Sequence, residues 1–124
     1  MERLLEATRR AERRHFWFRG FRRFVRPLLS EATLGVPNPL ILDCGCGTGS
    51  NLEMLTNFGR PFGFDLTWVG VKYAREYGQT RVARANVTQI PFPSNRFDLV
   101  TSFDVLYTLA EPDEKAAIAE LFRV

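Results

Sequence analysis

The chain has 124 residues, 45% apolar and 25% charged, with a formal net charge of +3. That describes one small packed domain and excludes a disordered chain, a collagen-like chain and a two-domain enzyme. No apolar run nears the roughly 18 residues a bilayer span needs, and two cysteines one residue apart cannot build a disulfide framework.

The start, Met1-Glu2-Arg3-Leu4-Leu5-Glu6, has no secretory pattern, so a reduced, cytoplasmic protein is expected. Residues 1–26 hold nine Arg against three Glu, a net of +6. Residues 27–124 hold eight Lys or Arg against eleven acids, a net of −3. A basic, aromatic arm (residues 1–36) thus precedes a slightly acidic body (residues 37–124). The good helix formers of residues 2–14 predict one helix. Trp17, Phe21, Phe24, Val25 and Leu28 share one helical face and predict a second, which Gly20 weakens. Gly35, Pro37 and Pro39 mark a linker.

In the body, the run Leu40-Ile41-Leu42 predicts a strand buried on both faces. A helix is expected over 49–58 and a strand over 61–65. Thr67 caps a helix that Gly78 ends. Weak strand character over 80–84 precedes a loop with Pro91 and Pro93. Residues 97–103 predict a fourth strand. Pro112 suits the first turn of a last helix, with Asp113 and Glu114 early and Arg123 late, as the helix dipole favours. Alternating strands and helices imply an α/β fold: a Rossmann-like, three-layer parallel sheet in the order 3-2-1-4.

The strongest chemical signal is Asp43-Cys44-Gly45-Cys46-Gly47-Thr48-Gly49, leaving a buried strand and opening a helix. Glycines at alternate positions let the backbone approach a ligand, and helix-start amides face the same spot. Asp65 ends the next strand 22 positions after Asp43. A carboxylate there suits vicinal ribose hydroxyls.

Here the sequence resembles the class I S-adenosylmethionine-dependent methyltransferases, of the type-11 kind. Leu42-Asp43-Cys44-Gly45-Cys46-Gly47-Thr48-Gly49 looks like that family's first motif. Its glycine spacing differs from the G-x-G-x-x-G dinucleotide fingerprint and so disfavours NAD. Gly63-Phe64-Asp65-Leu66-Thr67 looks like the second motif, and residues 86–92 resemble its "D-A-x-x-L-P-F" loop. Residues 97–103 resemble its fourth strand, and 114–124 the helix before its "R-V-L-K-P-G-G" turn. The arm His15-Phe16-Trp17-Phe18-Arg19 looks like a lid found in one branch of the family.

The resemblance implies S-adenosylmethionine (SAM) as cofactor and S-adenosylhomocysteine as product. Asp43, Gly45, Cys46, Gly47 and Gly49 would hold the amino-acid end of SAM. Asp65 would bind the ribose, and Leu66 would lie against the adenine. Asn86 would meet the adenine amino group and the Val87 amide a ring nitrogen. Ser102 and Phe103 would meet the ammonium, and Trp17 would cover the cofactor or pack the arm. Asn86 stands where relatives usually have Asp, and Thr108 where many have His. The family domain has seven strands, so the body corresponds to its cofactor half. An uncovered fourth strand over 97–103 then predicts a homo-oligomer, through that edge or by exchange of an element.

Two functional readings follow from the resemblance: a methyltransferase acting on an unidentified acceptor, or a non-catalytic SAM-binding or scaffold module. No catalytic side chain is assigned, since methyl transfer needs mainly alignment. Nucleic-acid binding by the basic arm is disfavoured by the acidic body and the lack of an RNA-binding signature. Cys44 and Cys46 with the single His15 do not complete a zinc site, and read as small buried residues. His15 reads as a packing or capping residue before a catalytic base. Arg19, Arg22 and Arg23 read mainly as solvated surface, with a carboxylate partner as the alternative. Tyr107 lies after the fourth strand, near where a substrate would arrive, and is equally a candidate for packing; Asp104 is a candidate for a polar contact at the same place.

Overall fold

A computed structural model describes residues 2–124. Two helices come first, α1 (Glu2–Ala11) and α2 (Phe16–Ala32). Then follow β1 (Leu40–Cys44), α3 (Ser50–Leu55), β2 (Arg60–Asp65), α4 (Trp68–Glu76) and β3 (Val82–Arg84). The last elements are β4 (Leu99–Thr101), a single 3₁₀ turn (Leu106–Thr108) and α5 (Asp113–Arg123). All strand pairs are parallel, in the order β3-β2-β1-β4, as the alternation of elements predicts.

Several elements are shorter than their sequence patterns suggest. The first helix stops at Ala11, and the fourth strand pairs only over Leu99–Thr101. The third strand begins at Val82, and α3 covers only Ser50–Leu55. Pro112 stands just outside α5, as its cap residue. Pro27, inside α2, does not stop that helix. Its ring nitrogen has no proton to give, but the residue lies on the exposed side, where water serves the freed carbonyl.

β1 is the hub. Ile41 pairs with Pro61 on one side and Leu99 on the other. Its side chains alternate between two cores. Ile41 joins Val25, Leu29, Leu52, Leu55 and Val71, beneath α2, α3 and α4. Leu42 and Cys44 join Phe64, Val87, Ile90 and Ala117, beneath α5 and the loop before β4. Both faces of β1 are therefore covered, which explains its unbroken apolar run. Ile41, Leu42 and Phe64 are fully enclosed and each contributes about 2 kcal/mol of burial.

The loop before β4 is fastened by Arg123. Its guanidinium donates to the carbonyls of Ile90 and Phe92, each at 2.8 Å, and pairs with Glu120 at 2.7 Å. Glu120 accepts from the Ile90 amide at 2.8 Å. The Arg123 hydrogen bond, with the Ile90 amide second, lowers the Glu120 carboxyl to about 2. These contacts fasten the segment between β3 and β4 to the C-terminal end of α5.

Candidate cofactor-binding site

In an open parallel sheet, ligands bind outside the carboxyl ends of the strands, where the strand order reverses. Here that point lies between β1 and β4. The glycine turn leaves β1 at this place. Gly45, Gly47 and Gly49 all have positive φ, at 80°, 51° and 84°. The first and last also lack room for a side chain. A Cβ on Gly45 would overlap the Val105 side chain, and one on Gly49 would come within 2.8 Å of the Ala74 backbone.

Asp65, at the end of β2, is tied to this turn. One of its oxygens accepts from the Gly47 amide at 2.9 Å. The other accepts from the Thr67 amide at 2.9 Å and the Thr67 hydroxyl at 2.8 Å. Thr67 in turn caps α4 by accepting from the Gly70 amide at 3.0 Å, as its sequence position predicts. A carboxylate offers about four lone-pair directions, so Asp65 Oδ2 retains one for a ligand donor.

Asp43 is the second acid. It is 1% exposed, and its Oδ1 accepts from the Thr101 hydroxyl at 2.8 Å. Asp43 Oδ2 is buried without a hydrogen-bond partner among the described residues. Burial drives its carboxyl up to about 7, the Thr101 bond opposes this, and the nearby Asp65 charge adds to it. A buried acceptor of this kind fits a ligand that brings its own donor. The residues thus fit the α-ammonium and ribose hydroxyls of SAM.

The other expected residues gather at the same end of the sheet. The Ser102 hydroxyl donates to the Cys44 carbonyl at 3.2 Å, joining β4 to β1. Phe103 meets Phe21 of α2 edge to face, with centroids 5.2 Å apart. Leu66 follows Asp65 and is exposed. The Ala85 amide donates to the Asp65 carbonyl at 3.0 Å, which brings Asn86 and Val87 to this rim. Asn86 Oδ1 already accepts from the amide and hydroxyl of Thr88, at 3.0 and 2.9 Å. Cys44 and Cys46 are buried free thiols, and burial raises both well above the usual thiol range.

The arm also reaches the turn. Trp17 is 64% exposed on α2. Contacts come from α1 and the residue after it. Leu5 lies 3.5 Å from the Cβ position of Gly47. Glu12, only 2% exposed, accepts from the Thr48 hydroxyl at 2.6 Å. Arg22 donates to the Glu12 carbonyl at 2.7 Å and to the Ser50 hydroxyl at 3.2 Å. His15 caps α2, its Nδ1 accepting from the Trp17 amide at 3.3 Å. Tyr107 stands exposed after β4, and Asp104 adopts a positive φ of 57°.

Glu12, Thr101 and Val105 escape sequence reasoning. Glu12 reads as one more charge on a charged helix. Thr101 carries a signal only once the register is known, because it pairs with Asp43. Val105 is an ordinary aliphatic residue until its contact with Gly45 is seen.

Comparison with known proteins identifies the family. Residues 42–124 match the family described as "Methyltransferase domain". A demethylmenaquinone methyltransferase of Renibacterium salmoninarum is 33% identical over 102 residues, 80% of this chain and 42% of that protein. A probable S-adenosylmethionine-dependent methyltransferase of Mycolicibacterium smegmatis is 28% identical over 86 residues, 68% of this chain and 33% of that protein. The chain thus spans about a third to two fifths of these relatives' length. The crystal structure of the [4+2]-cyclase SpnF superposes with a TM-score of 0.72 at 28% identity, covering 90% of this chain and 43% of that one. With its glycine turn, its acid at the end of β2 and its 3-2-1-4 sheet, the chain belongs to the class I SAM-dependent methyltransferase family.

Proposed function

We propose that the chain binds SAM at the carboxyl ends of β1, β2 and β4 and serves methyl transfer to an acceptor nucleophile. One observation carries this reading: the glycine turn is flanked by a buried acid with one oxygen unpartnered among the described residues, Asp43, and a second acid, Asp65, at the end of β2. Bound SAM supplies an electrophilic methyl group on a sulfonium, and S-adenosylhomocysteine is the product.

The chain's own part is to bind, orient and exclude water. Asp43 Oδ2 accepts from the ammonium, and the backbone of Gly45, Cys46, Gly47 and Gly49 lies along the amino-acid end. Ser102 and Phe103 approach the same ammonium from β4. Asp65 Oδ2 takes the ribose hydroxyls with its remaining lone pair. Leu66 offers an apolar surface to the adenine, and the Val87 amide and Asn86 side chain face its polar edge. The described part of the arm, residues 2–36, forms a lid whose inner surface is Leu5 and Glu12, with Trp17 at its margin. Alignment within such a pocket supplies most of what methyl transfer requires.

The bare β4 edge supports a homo-oligomer, since β4 pairs with β1 alone among the described residues. A second reading is a SAM-binding module that transfers no methyl group. A related fold, SpnF, is described as a [4+2]-cyclase, so the fold alone does not fix methyl transfer.

Calorimetric titration with SAM tests the proposal. Saturable binding near one site per chain is expected, weakened at least tenfold by Asp65→Ala. Equal affinity in the variant, or no binding by a folded sample, refutes it. Light scattering at micromolar concentration tests the oligomer, and a monomer refutes that part.

A further inference from the structure

A second cleft, whose lining includes neither Asp43, Asp65 nor the turn glycines, lies between the arm, α3 and the end of α4. It has a volume of about 380 Å³, and Arg13, Arg22 and Arg26 reach it from the arm. Glu12, Glu53 and Ser50 also line it. None of the three arginines has a carboxylate partner among the described residues. Arg22 is held by its bonds to the Glu12 carbonyl and the Ser50 hydroxyl. Arg13 lies over the Tyr77 ring, 4.9 Å from its centroid. Arg26 has no hydrogen-bond partner among the described residues and is exposed.

The Glu12 carboxylate supplies a second, independent observation. One oxygen is satisfied by Thr48, but Oε1 is buried with no hydrogen-bond partner among the described residues. Three guanidinium groups call for an oxyanion with several acceptor oxygens, and their planar forks match a phosphoryl group. The orphaned Oε1 adds a condition. An acceptor-only atom repels a bare anion and welcomes one that brings an O–H of its own. Hydrogen phosphate and singly protonated phosphate monoesters meet both demands, whereas sulfate has no proton near neutral pH. The cleft is larger than a lone oxyanion fills, so a polar body attached to the phosphoryl group also fits.

We propose that the cleft bounded by Arg13, Arg22, Arg26 and Glu12 is a binding site for a protonated phosphoryl group, as in a small phosphate monoester. The arginines hold its anionic oxygens, and Glu12 Oε1 accepts from its P–OH. The site is separate from the Asp43–Asp65 pocket, and the proposal stands or falls without SAM binding. It touches that pocket through one bond, from Thr48 of the glycine turn to Glu12.

The test is calorimetric titration of the full chain with inorganic phosphate, and with sulfate as the control. Saturable phosphate binding is expected, with sulfate at least tenfold weaker. Arg26→Ala, a surface change on α2, is expected to weaken phosphate about tenfold. Glu12→Gln, which puts an amide in place of the acceptor pair, is expected to bring the two anions to similar affinity. Equal affinity for both anions in the unaltered chain overturns the proposal. So does phosphate binding that Arg26→Ala leaves unchanged, or no phosphate binding at all. The Arg26 variant keeps the question answerable where Glu12→Gln fails to fold.

Discussion

Asp43 and Thr101 sit opposite each other in the β1–β4 register, and the Thr101 hydroxyl donates to Asp43 Oδ1 at 2.8 Å. The second carboxylate oxygen has no such donor. This half-satisfied acid lies at the centre of the sheet.

The folded Asp43 carboxyl titrates near 7, raised from 3.8 by burial. Between those values the folded state keeps a proton that the unfolded chain has lost. Stability from this residue is therefore full below about 3.8 and falls as pH rises to about 7, beyond which it is level. The total is about 4 kcal/mol. Glu120 acts in the opposite sense: its lowered carboxyl favours folding above about 4.5 and loses that effect as pH falls toward 2. Urea unfolding between pH 4 and pH 8 is expected to show a decline that Asp43→Asn flattens. An unchanged slope in the variant would show that Asp43 is charged throughout.

Thr48→Val removes the only hydrogen-bond partner of the buried Glu12 carboxylate among the described residues. A loss of about 2 kcal/mol is expected. Limited proteolysis should then cut within residues 2–14 at least several times faster than in the unaltered chain. Equal cleavage rates would mean that the Arg22 contacts alone hold the arm down.

Gly45→Ala faces two penalties, a positive φ of 80° and overlap with Val105. The backbone part is about 1 kcal/mol and the overlap about 1–3 kcal/mol. Adding Val105→Ala should restore the second part and leave the first. Thermal unfolding of both single variants and the double variant measures this. Full additivity of the two losses would show that the side chains do not meet.

Both thiols are buried, and burial raises them away from the reactive thiolate form. A chromogenic disulfide reagent at pH 8 is expected to label neither cysteine in the native chain and both after denaturation. Rapid labelling of the native chain would show that the glycine turn opens readily.

Much of the body was legible because its signals are local. Leu40-Ile41-Leu42, the glycine turn and the Thr67 cap each depend on residues within a few positions, and each forms where the pattern puts it. The arm was legible as helix but not as packing. Its aromatics, Trp17 above all, carry the stronger sequence signal, while Leu5 and Glu12 make contacts with the turn. A buried glutamate in a charged segment leaves no periodic trace, because its burial depends on Thr48, far along the chain. The ends of β3 and β4 were overextended for a related reason. Residues beyond Leu99–Thr101 have strand-like composition, but only that stretch finds a partner in β1.

The central place of β1 has a consequence for biosynthesis. Its partners arrive at very different times, since Ile41 faces Pro61 on one flank and Leu99 on the other. A chain emerging from the ribosome completes β2 and β3 well before β4. Until then one flank of the most apolar strand stays bare, and its late pairing slows folding. That interval is when a chaperone, or a neighbouring nascent chain, has its best access to the protein.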